Sequence, residues 1–363
     1  MVDNESRSGT RIFGSPRWTA VVCVAAVSAA AILILTVLPG RHDRAPASSS
    51  PASRVLGPLT TSGYPRFALD LDTSGRAPGL SVLSTASGRL ITELAPRNGF
   101  FYRATAATAD ARTFVVAAEA LDGACQTWLY RLRLTAQGHE AALTPLKVPR
   151  IAGQILPASG LSVSADGRLV AYSATPCSGP AGNGNKQHGV IGTINLDTGQ
   201  TRTWRLSAAS AWSLSLSPDG RLLTYVSSVV YGGDGTVRSL AVSTPPGPVT
   251  ERTHVILRAN PGMAANGSIA VNYHDAIILA CSEQSHIATL AAYDVASGRR
   301  LGVIYAWRNV VVAPCEISLT SSGRFVLVYN LNLWGVVTRI DLKSGIATSL
   351  ALRSAGQPLG VAW

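Results

Sequence analysis

Two kinds of short polar turn alternate along residues 61–363, and they constrain the fold of this chain more than any other feature. The first kind has the pattern S-x-D-G-R or a close variant, and it joins two short strands of alternating apolar residues. Its members are Thr108–Arg112, Ser164–Arg168, Ser217–Arg221, Tyr273–Asp275 and Ser321–Arg324. Asp and Gly are favoured there because a tight hairpin needs a positive φ angle and a side-chain cap.

The second kind of turn ends in glycine and recurs roughly every 50 residues, an interval typical of repeat architectures. Its members are Ser87-Gly88, Gln137-Gly138, Thr198-Gly199, Pro246-Gly247, Ser297-Gly298 and Ser344-Gly345. Each repeat is therefore predicted to be four antiparallel strands, a to d. The first kind of turn joins strands a and b, and the second kind joins strands c and d.

The two kinds of turn differ in number, because the chain has six of the second kind and five of the first. One repeat therefore lacks a local strand a. Gln357–Trp363 has the pattern of a strand a with nothing after it, and the first repeat begins with a strand b at Arg66–Leu71. Pairing of these two segments would close a ring without exposed sheet edges. The sequence predicts an all-β fold, a six-bladed β-propeller over residues 61–363.

These motifs resemble those of TolB-like and WD40-like six-bladed propellers, in which S-x-D-G-R hairpins alternate with D-x-x-T/S-G turns. More narrowly, the layout resembles the membrane-tethered bacterial members, where P-R-F precedes the first blade and a hydrophobic strand ending in Trp closes the last. Pro65-Arg66-Phe67 and Val361-Ala362-Trp363 match that arrangement. The GH…WD signature of eukaryotic WD40 repeats is absent, so the resemblance implies a fold and no particular partner.

Near the N-terminus, Trp18–Leu38 is a run of 21 residues without a charge. A helix of that length spans about 30 Å, the thickness of a membrane core. We predict a cytoplasmic tail at residues 1–17, a transmembrane signal anchor at 18–38 and a Pro/Ser/Ala-rich tether at 39–60. A cleaved signal peptide and a buried core helix are the alternatives, but a signal peptide has a shorter apolar run.

Four cysteines follow the predicted anchor, and none forms a CxxC or zinc-binding pattern. An even number of widely spaced cysteines fits disulfides in an oxidising compartment, although four unrelated thiols remain possible. A disulfide needs Cα atoms within about 7 Å, which only neighbouring blades provide. The propeller register therefore predicts the pairs Cys125–Cys177 and Cys281–Cys315. The plasma membrane is then crossed once, with the N-terminus in the cytoplasm and the propeller outside.

The sequence offers little support for catalysis. Glu316 is the only carboxylate on the predicted inner strands, whereas a glycosidase needs at least two carboxylates. The six histidines have no metal-ligand spacing, and the chain has neither a G-x-S-x-G nucleophile motif nor a glycine-rich phosphate loop. We therefore predict no catalytic residue, no metal ligand, no cofactor and no enzymatic activity.

The charge of the propeller region indicates which kinds of partner it can bind. Residues 61–363 contain 25 basic and 17 acidic residues, a net charge of +8. The basic residues are scattered rather than clustered in stripes, which argues against nucleic acid as a partner. Weak attraction to an anionic wall polymer or to lipid head groups fits this pattern better.

The b–c and d–a connections are predicted to be longer and to leave from the opposite face of the propeller. Rigid scaffolds often present ligand contacts on such loops. We name Tyr231, Trp307 and Trp334, together with Glu316, as candidate ligand-binding residues, because amphipathic aromatics are frequent in interfaces. The alternative is that these rings pack between blades or cover a blade edge, and that Glu316 is a solvated or Arg-paired strand end.

The function expected from these features is non-catalytic: a membrane-anchored extracytoplasmic propeller that binds a protein or a cell-envelope ligand. Two alternatives remain, a glycosidase-like extracytoplasmic hydrolase and a structural accessory subunit of a membrane complex. A second carboxylate facing the central channel within about 10 Å of Glu316 would favour the hydrolase.

Overall fold

The computed structural model describes residues 65–72, 79–97, 99–156, 160–176, 189–206, 210–228, 235–249, 253–258, 263–282, 287–308, 316–320, 323–329, 336–351 and 358–362. Across these ranges the secondary structure consists of 27 β-strands in six sheets. None of these residues belongs to a helix with the length and hydropathy of a membrane span. The predicted tail, anchor and tether at residues 1–60 lie outside these ranges.

The strands of the first three blades follow one another in chain order. The first blade contains β1 (Phe67–Asp72), β2 (Gly79–Ser84) and β3 (Leu90–Leu94). The second contains β4 (Phe100–Ala107), β5 (Thr113–Ala120), β6 (Gln126–Leu134) and β7 (Glu140–Pro145), and the short β8 (Ile151–Ala152) pairs with β6. The third contains β9 (Gln154–Ile155), β10 (Leu161–Val163), β11 (Leu169–Thr175), β12 (Val190–Asn195) and β13 (Thr201–Arg205).

The remaining strands form three further blades and the closing strand. The fourth blade contains β14 (Ser210–Leu216), β15 (Leu222–Ser228), β16 (Thr236–Ala241) and, after the short β17 (Gly247–Pro248), β18 (His254–Leu257). The fifth contains β19 (Met263–Ala270), β20 (Asp275–Ser282), β21 (Ile287–Asp294) and β22 (Arg300–Arg308). The sixth contains β23 (Glu316–Leu319), β24 (Phe325–Tyr329), β25 (Val336–Asp341) and β26 (Ala347–Ala351), and the last strand is β27 (Pro358–Ala362).

The ring closes as the sequence predicts. Strand β27 pairs antiparallel with β1, so that Leu69 lies opposite Ala362 and Asp70 opposite Val361. The inner strands contact one another in the order β27, β4, β10, β14, β19 and β23, and β23 contacts β27 again. The chain is therefore an all-β, six-bladed propeller whose first blade takes its inner strand from the C-terminus. The bounds of the two closing strands, β1 and β27, differ by about one residue from the predicted segments Arg66–Leu71 and Gln357–Trp363.

The a–b turns are held by short carboxylate caps. In the third blade, Asp166 accepts hydrogen bonds from the Ser164 hydroxyl at 2.6 Å and from the Arg168 N–H at 3.1 Å. The bond from Ser164 is the largest cause that holds the pKa of Asp166 below its ordinary value. Gly167 follows at a φ of 70°, which a residue with a side chain rarely adopts. The acid and the glycine of this motif are thus explained by the turn itself.

Five of the six predicted c–d turns are tight turns with glycine at positive φ: Gly88, Gly138, Gly199, Gly298 and Gly345. The prediction of a tight turn at Pro246-Gly247 is wrong. Gly247 belongs to β17, which leaves the fourth blade and pairs in parallel with β13 of the third. The two consecutive prolines, Pro245 and Pro246, lack the N–H groups that a hairpin ladder needs.

The apolar core consists of clusters between adjacent sheets. One cluster joins the first and second blades around Leu69, Val82, Phe114 and Leu132, which have almost no exposed surface. Another joins the third and fourth blades around Trp204 and Tyr225. Each blade is therefore fixed by the faces of its neighbours, and the turns at either end of the ring are held at defined positions.

Candidate functional site

Trp307 is not in a loop, so that part of the prediction is wrong. It lies in β22 opposite Ala288, because the apolar strand pattern continues as far as Arg308. Its ring is half-buried against the core between the fifth and sixth blades. It also makes an edge contact with Tyr305, with ring centroids 4.7 Å apart. These contacts give Trp307 a packing role, and its predicted ligand contact stays a prediction.

The other candidates of the sequence are only partly within the described residues. Glu316 begins β23 opposite Tyr329, on an inner strand as predicted. The side chain of Glu316 and the whole of Tyr231 and Trp334 lie outside the described part. Their roles in ligand binding stay predictions.

The cysteines are also only partly within the described residues. The carbonyl of Cys125 accepts a hydrogen bond from the Gly153 N–H at 3.0 Å. Cys281 lies in β20, as predicted for a strand b, but its side chain falls outside the described part. Cys177 and Cys315 also fall outside, so the pairs Cys125–Cys177 and Cys281–Cys315 stay predictions.

A buried carboxylate that the search of the inner strands missed lies in β5. Glu119 is 4% exposed. Its Oε2 accepts a hydrogen bond from the Arg103 Nε at 2.6 Å, and its Oε1 accepts one from the Gln154 Nε2 at 2.6 Å. Because both oxygens have donors, the group joins β4, β5 and β9 rather than facing a ligand. An acid inside the apolar run T-F-V-V-A-A-E-A was the sequence signal for such a buried pair.

One cleft lies on the face that carries the a–b and c–d turns, which we call the turn face. It is a cleft of about 530 Å³ between the third, fourth and fifth blades. Its lining residues come from the turn-face ends of the strands and from the turns themselves: Leu169, Thr193, Asn195, Gln200, Arg202, Gly220, Arg221, Val242, Ser243 and Tyr273. Sequence reasoning looked for ligand contacts on the opposite face and did not single out these residues.

One wall of the cleft is formed by the connection between β16 and β18 of the fourth blade. After β16 the chain passes Val242 and Ser243 and then adds β17 to the outer edge of the third blade. The Val242 carbonyl accepts a hydrogen bond at 2.8 Å from the Arg202 guanidinium of β13. The connection thus holds the Arg202 side chain at the cleft between the third and fourth blades.

Among the described residues that line the cleft, the charge comes from arginine. Arg202 and Arg221 are the two charged residues in this part of the lining, and neither Asp nor Glu is among the ten residues described there. The carboxylate of Asp219 lies 4.0 Å from the Arg221 Nε, and both side chains are largely exposed. An ion pair of that length in water contributes little. The cleft therefore has a positive potential that attracts anions.

Tyr273 supplies the aromatic side of the cleft from the a–b turn of the fifth blade. This turn is confirmed as predicted, because the Asn272 Oδ1 accepts the N–H groups of His274 at 2.7 Å and Asp275 at 2.8 Å. The Tyr273 ring packs edge-on against His274, with centroids 5.5 Å apart, and is 46% exposed. A rigid turn thus holds a tyrosine ring in contact with solvent at the cleft.

Comparisons with known proteins identify the fold and no family. No family model and no curated protein matches this chain. Among solved structures, the chain is similar to TolB from Acinetobacter baumannii, with 14% identity and a TM-score of 0.52 over 82% of this chain. The chain spans 65% of the length of that TolB. A putative TolB from Agrobacterium tumefaciens has 12% identity and a TM-score of 0.46 over 78% of this chain and 87% of its own.

At these identities the likeness shows the fold alone. The tricorn protease is a further similar structure, with 12% identity and a TM-score of 0.48, and the match covers 76% of this chain but 28% of the protease. The chain is thus a six-bladed β-propeller structurally similar to TolB-like propellers.

Proposed function

We propose that this chain is a non-catalytic binding propeller of the cell envelope. In this proposal residues 18–38 anchor it in the plasma membrane, residues 39–60 form a tether, and the propeller binds a protein or a cell-envelope ligand outside the cell. The observation that carries the proposal is the cleft on the turn face, which combines two arginines, neutral polar groups and a tyrosine ring on a rigid scaffold. Its charged and polar groups could fix the orientation of a ligand, as such groups do in small-molecule sites.

The use of the carboxylates supports binding rather than acid–base chemistry. Asp110, Asp166 and Asp219 accept backbone N–H groups within the a–b turns. Asp294 and Asp341 do the same in the c–d turns. Each of these acids already has a structural donor, and each turn needs its acid for stability. A hydrolase would instead need carboxylates directed at a substrate.

The placement outside the cell is supported by the chain's N-terminal pattern and by its cysteines. The run at residues 18–38 has the length of a membrane span. The even number of cysteines after this run fits disulfides, which persist mainly in oxidising compartments. The run supports membrane anchoring, and the cysteines support the outer side of the membrane.

The compartment can be tested by adding a protease to intact spheroplasts that express the full chain. We expect the protease to digest the propeller or the 39–60 tether before lysis, because both would face outward. A cytoplasmic marker protein, which should survive until lysis, is the control. Protection of the propeller until the cells are lysed would contradict the proposal.

Binding can be tested by co-purification of envelope components with the full chain, extracted from membranes in a mild detergent. We expect at least one envelope component to be retained by the wild-type chain and lost from the Arg202→Ala/Arg221→Ala double variant. The matched control is Arg168→Ala, because Arg168 occupies the same turn position one blade earlier and does not line the cleft. Retention of the same components by all three chains would show that the cleft is not the binding site.

A further inference from the structure

We propose that the turn-face cleft binds the carboxylate of an acidic saccharide through Arg202 and Arg221. This inference rests on the proposed function, because it names the ligand class of the same site.

In two of the three described a–b turns that contain Gly-Arg, the arginine pairs with an acid of the c–d turn in its own blade. In the third blade, Arg168 lies 3.4 Å from the Asp197 carboxylate. In the sixth blade, Arg324 lies 2.9 Å from the Asp341 carboxylate. The turn position itself thus places a guanidinium within reach of an acid from the neighbouring turn.

The fourth blade keeps the arginine but has no acid in the corresponding segment. Residues 241–249 have the sequence A-V-S-T-P-P-G-P-V, without an Asp or a Glu. Among the described residues, the nearest carboxylate to Arg221 is that of Asp219 in its own turn, at 4.0 Å. Arg221 therefore lies where its two counterparts bind a carboxylate, and the space for that carboxylate opens into the cleft.

Arg202 adds a second guanidinium with a fixed orientation. One of its terminal N–H groups is bonded to the Val242 carbonyl at 2.8 Å, which limits rotation of the side chain. Its remaining N–H groups stay available to a ligand in the cleft. A planar guanidinium matches a carboxylate through two parallel hydrogen bonds, and a side chain already held in place loses less entropy on binding.

The other lining residues favour a saccharide as the carrier of that carboxylate. Gln200 and Ser243 offer neutral donors and acceptors that match hydroxyl groups, and the exposed Tyr273 ring offers a flat apolar surface. The volume of about 530 Å³ is within the range of small-molecule sites, which is roughly 300–1,000 Å³. An acidic peptide is the competing ligand, and triglutamate represents it in the titration.

The test is calorimetric titration of the detergent-purified full chain with three probes of similar size: trigalacturonate, the neutral maltotriose and triglutamate. We expect trigalacturonate to bind at least about tenfold more tightly than either of the others, a difference equivalent to about 1.4 kcal/mol. Binding should weaken as salt rises, because the attraction is electrostatic. Equal binding of maltotriose would overturn the role of the carboxylate, and stronger binding of triglutamate would replace the saccharide with an acidic peptide.

The variants assign the binding to the cleft. Arg221→Gln and Arg202→Gln should each weaken trigalacturonate binding at least about tenfold, whereas Arg168→Gln should leave it unchanged. Arg221 is 77% exposed, so its replacement removes charge without disturbing the core. Equal melting temperatures would verify that the variants are folded. Unchanged affinity in both cleft variants, or no binding of trigalacturonate by the wild type, would overturn the inference.

The two proposals fail in different ways. If an envelope component co-purifies with the wild type and is lost from the double variant while trigalacturonate does not bind, the saccharide class is wrong and the binding function stands. If no envelope component co-purifies at all, the proposed function itself fails.

Discussion

At the scale of single residues, the buried pair of Glu119 and Arg103 joins two neighbouring strands through a charged hydrogen bond. Glu119 is 6% exposed at its side chain, and Arg103 is 26% exposed. The Arg103 guanidinium also stacks on the Phe101 ring, with its carbon 4.4 Å from the ring centroid. Gln154, which bonds the second oxygen of Glu119, belongs to β9 and pairs with the third blade. The pair therefore links the second and third blades.

We predict that Arg103→Ala lowers the free energy of unfolding by about 3 kcal/mol, because it leaves the Glu119 carboxylate buried without its cation. The double variant Arg103→Met/Glu119→Gln should lose less, since it removes the buried charge and keeps a partner for Gln154. Urea unfolding of the three chains measures these differences.

The control for that prediction is Arg168→Ala, whose pair with Asp197 is exposed on both sides and should contribute under about 1 kcal/mol. Equal losses in Arg103→Ala and Arg168→Ala would mean that burial does not determine the effect. A double variant less stable than Arg103→Ala would mean that the pair itself, rather than the stranded charge, is what matters.

At the scale of elements, the c–d connection of the fourth blade has the most consequences. Strand β17 covers the outer edge of β13, and an uncovered edge is a site for unwanted strand pairing. The Trp204 side chain is fully buried beneath this segment, and its indole N–H donates to the Pro245 carbonyl at 3.2 Å. The same connection presents Val242, which orients Arg202. One irregular connection thus protects an edge and shapes the cleft.

We predict that Trp204→Ala destabilises the propeller by about 3–5 kcal/mol, because it removes a fully buried aromatic side chain. Trp204→Phe should cost less, because a ring still fills the core. It still loses the hydrogen bond from the indole to Pro245. Both variants should speed amide hydrogen exchange in residues 242–249, which mass spectrometry can follow. Unchanged exchange in Trp204→Ala would contradict the view that this side chain holds the connection in place.

At the scale of the whole molecule, the ring is held by the pairing of β27 with β1. Strand β27 also contacts β23 and β4, so it joins the sixth blade to the second as well as completing the first. Ala362 is 6% exposed and belongs to the core between the first two blades. Residues distant in sequence therefore have to meet before the last interface can form, which makes the closure a non-local contact.

Deletion of residues 358–363 should lower the melting temperature and promote aggregation, because it exposes the edge of β1 and opens the ring. A synthetic peptide of the same residues should restore part of the stability by pairing with β1. Deletion of residues 1–17, which lie outside the described strands of the propeller, is the control. A truncated chain that melts at the wild-type temperature would contradict the closure as a source of stability.

The number of blades and the manner of closure could be read from the sequence because they depend on local chemistry. A tight turn needs a glycine at positive φ and a carboxylate or hydroxyl cap, and these requirements leave a pattern at each turn, as at Ser164–Arg168. Counting the turns then leaves one inner strand to be supplied by residues 357–363. The sequence by itself thus determined the repeat, the fold class and the strand that closes the ring.

The tertiary structure alone decided the candidate site. Whether a turn arginine is paired depends on which side chain the next turn brings to it, as Arg168 and Arg221 show despite their identical motifs. The pairing of Gly247–Pro248 with the third blade and the donors around Glu119 are likewise contacts between segments distant in sequence. Such contacts leave no periodic signal, because they depend on how neighbouring blades pack and not on the conformation of one hairpin.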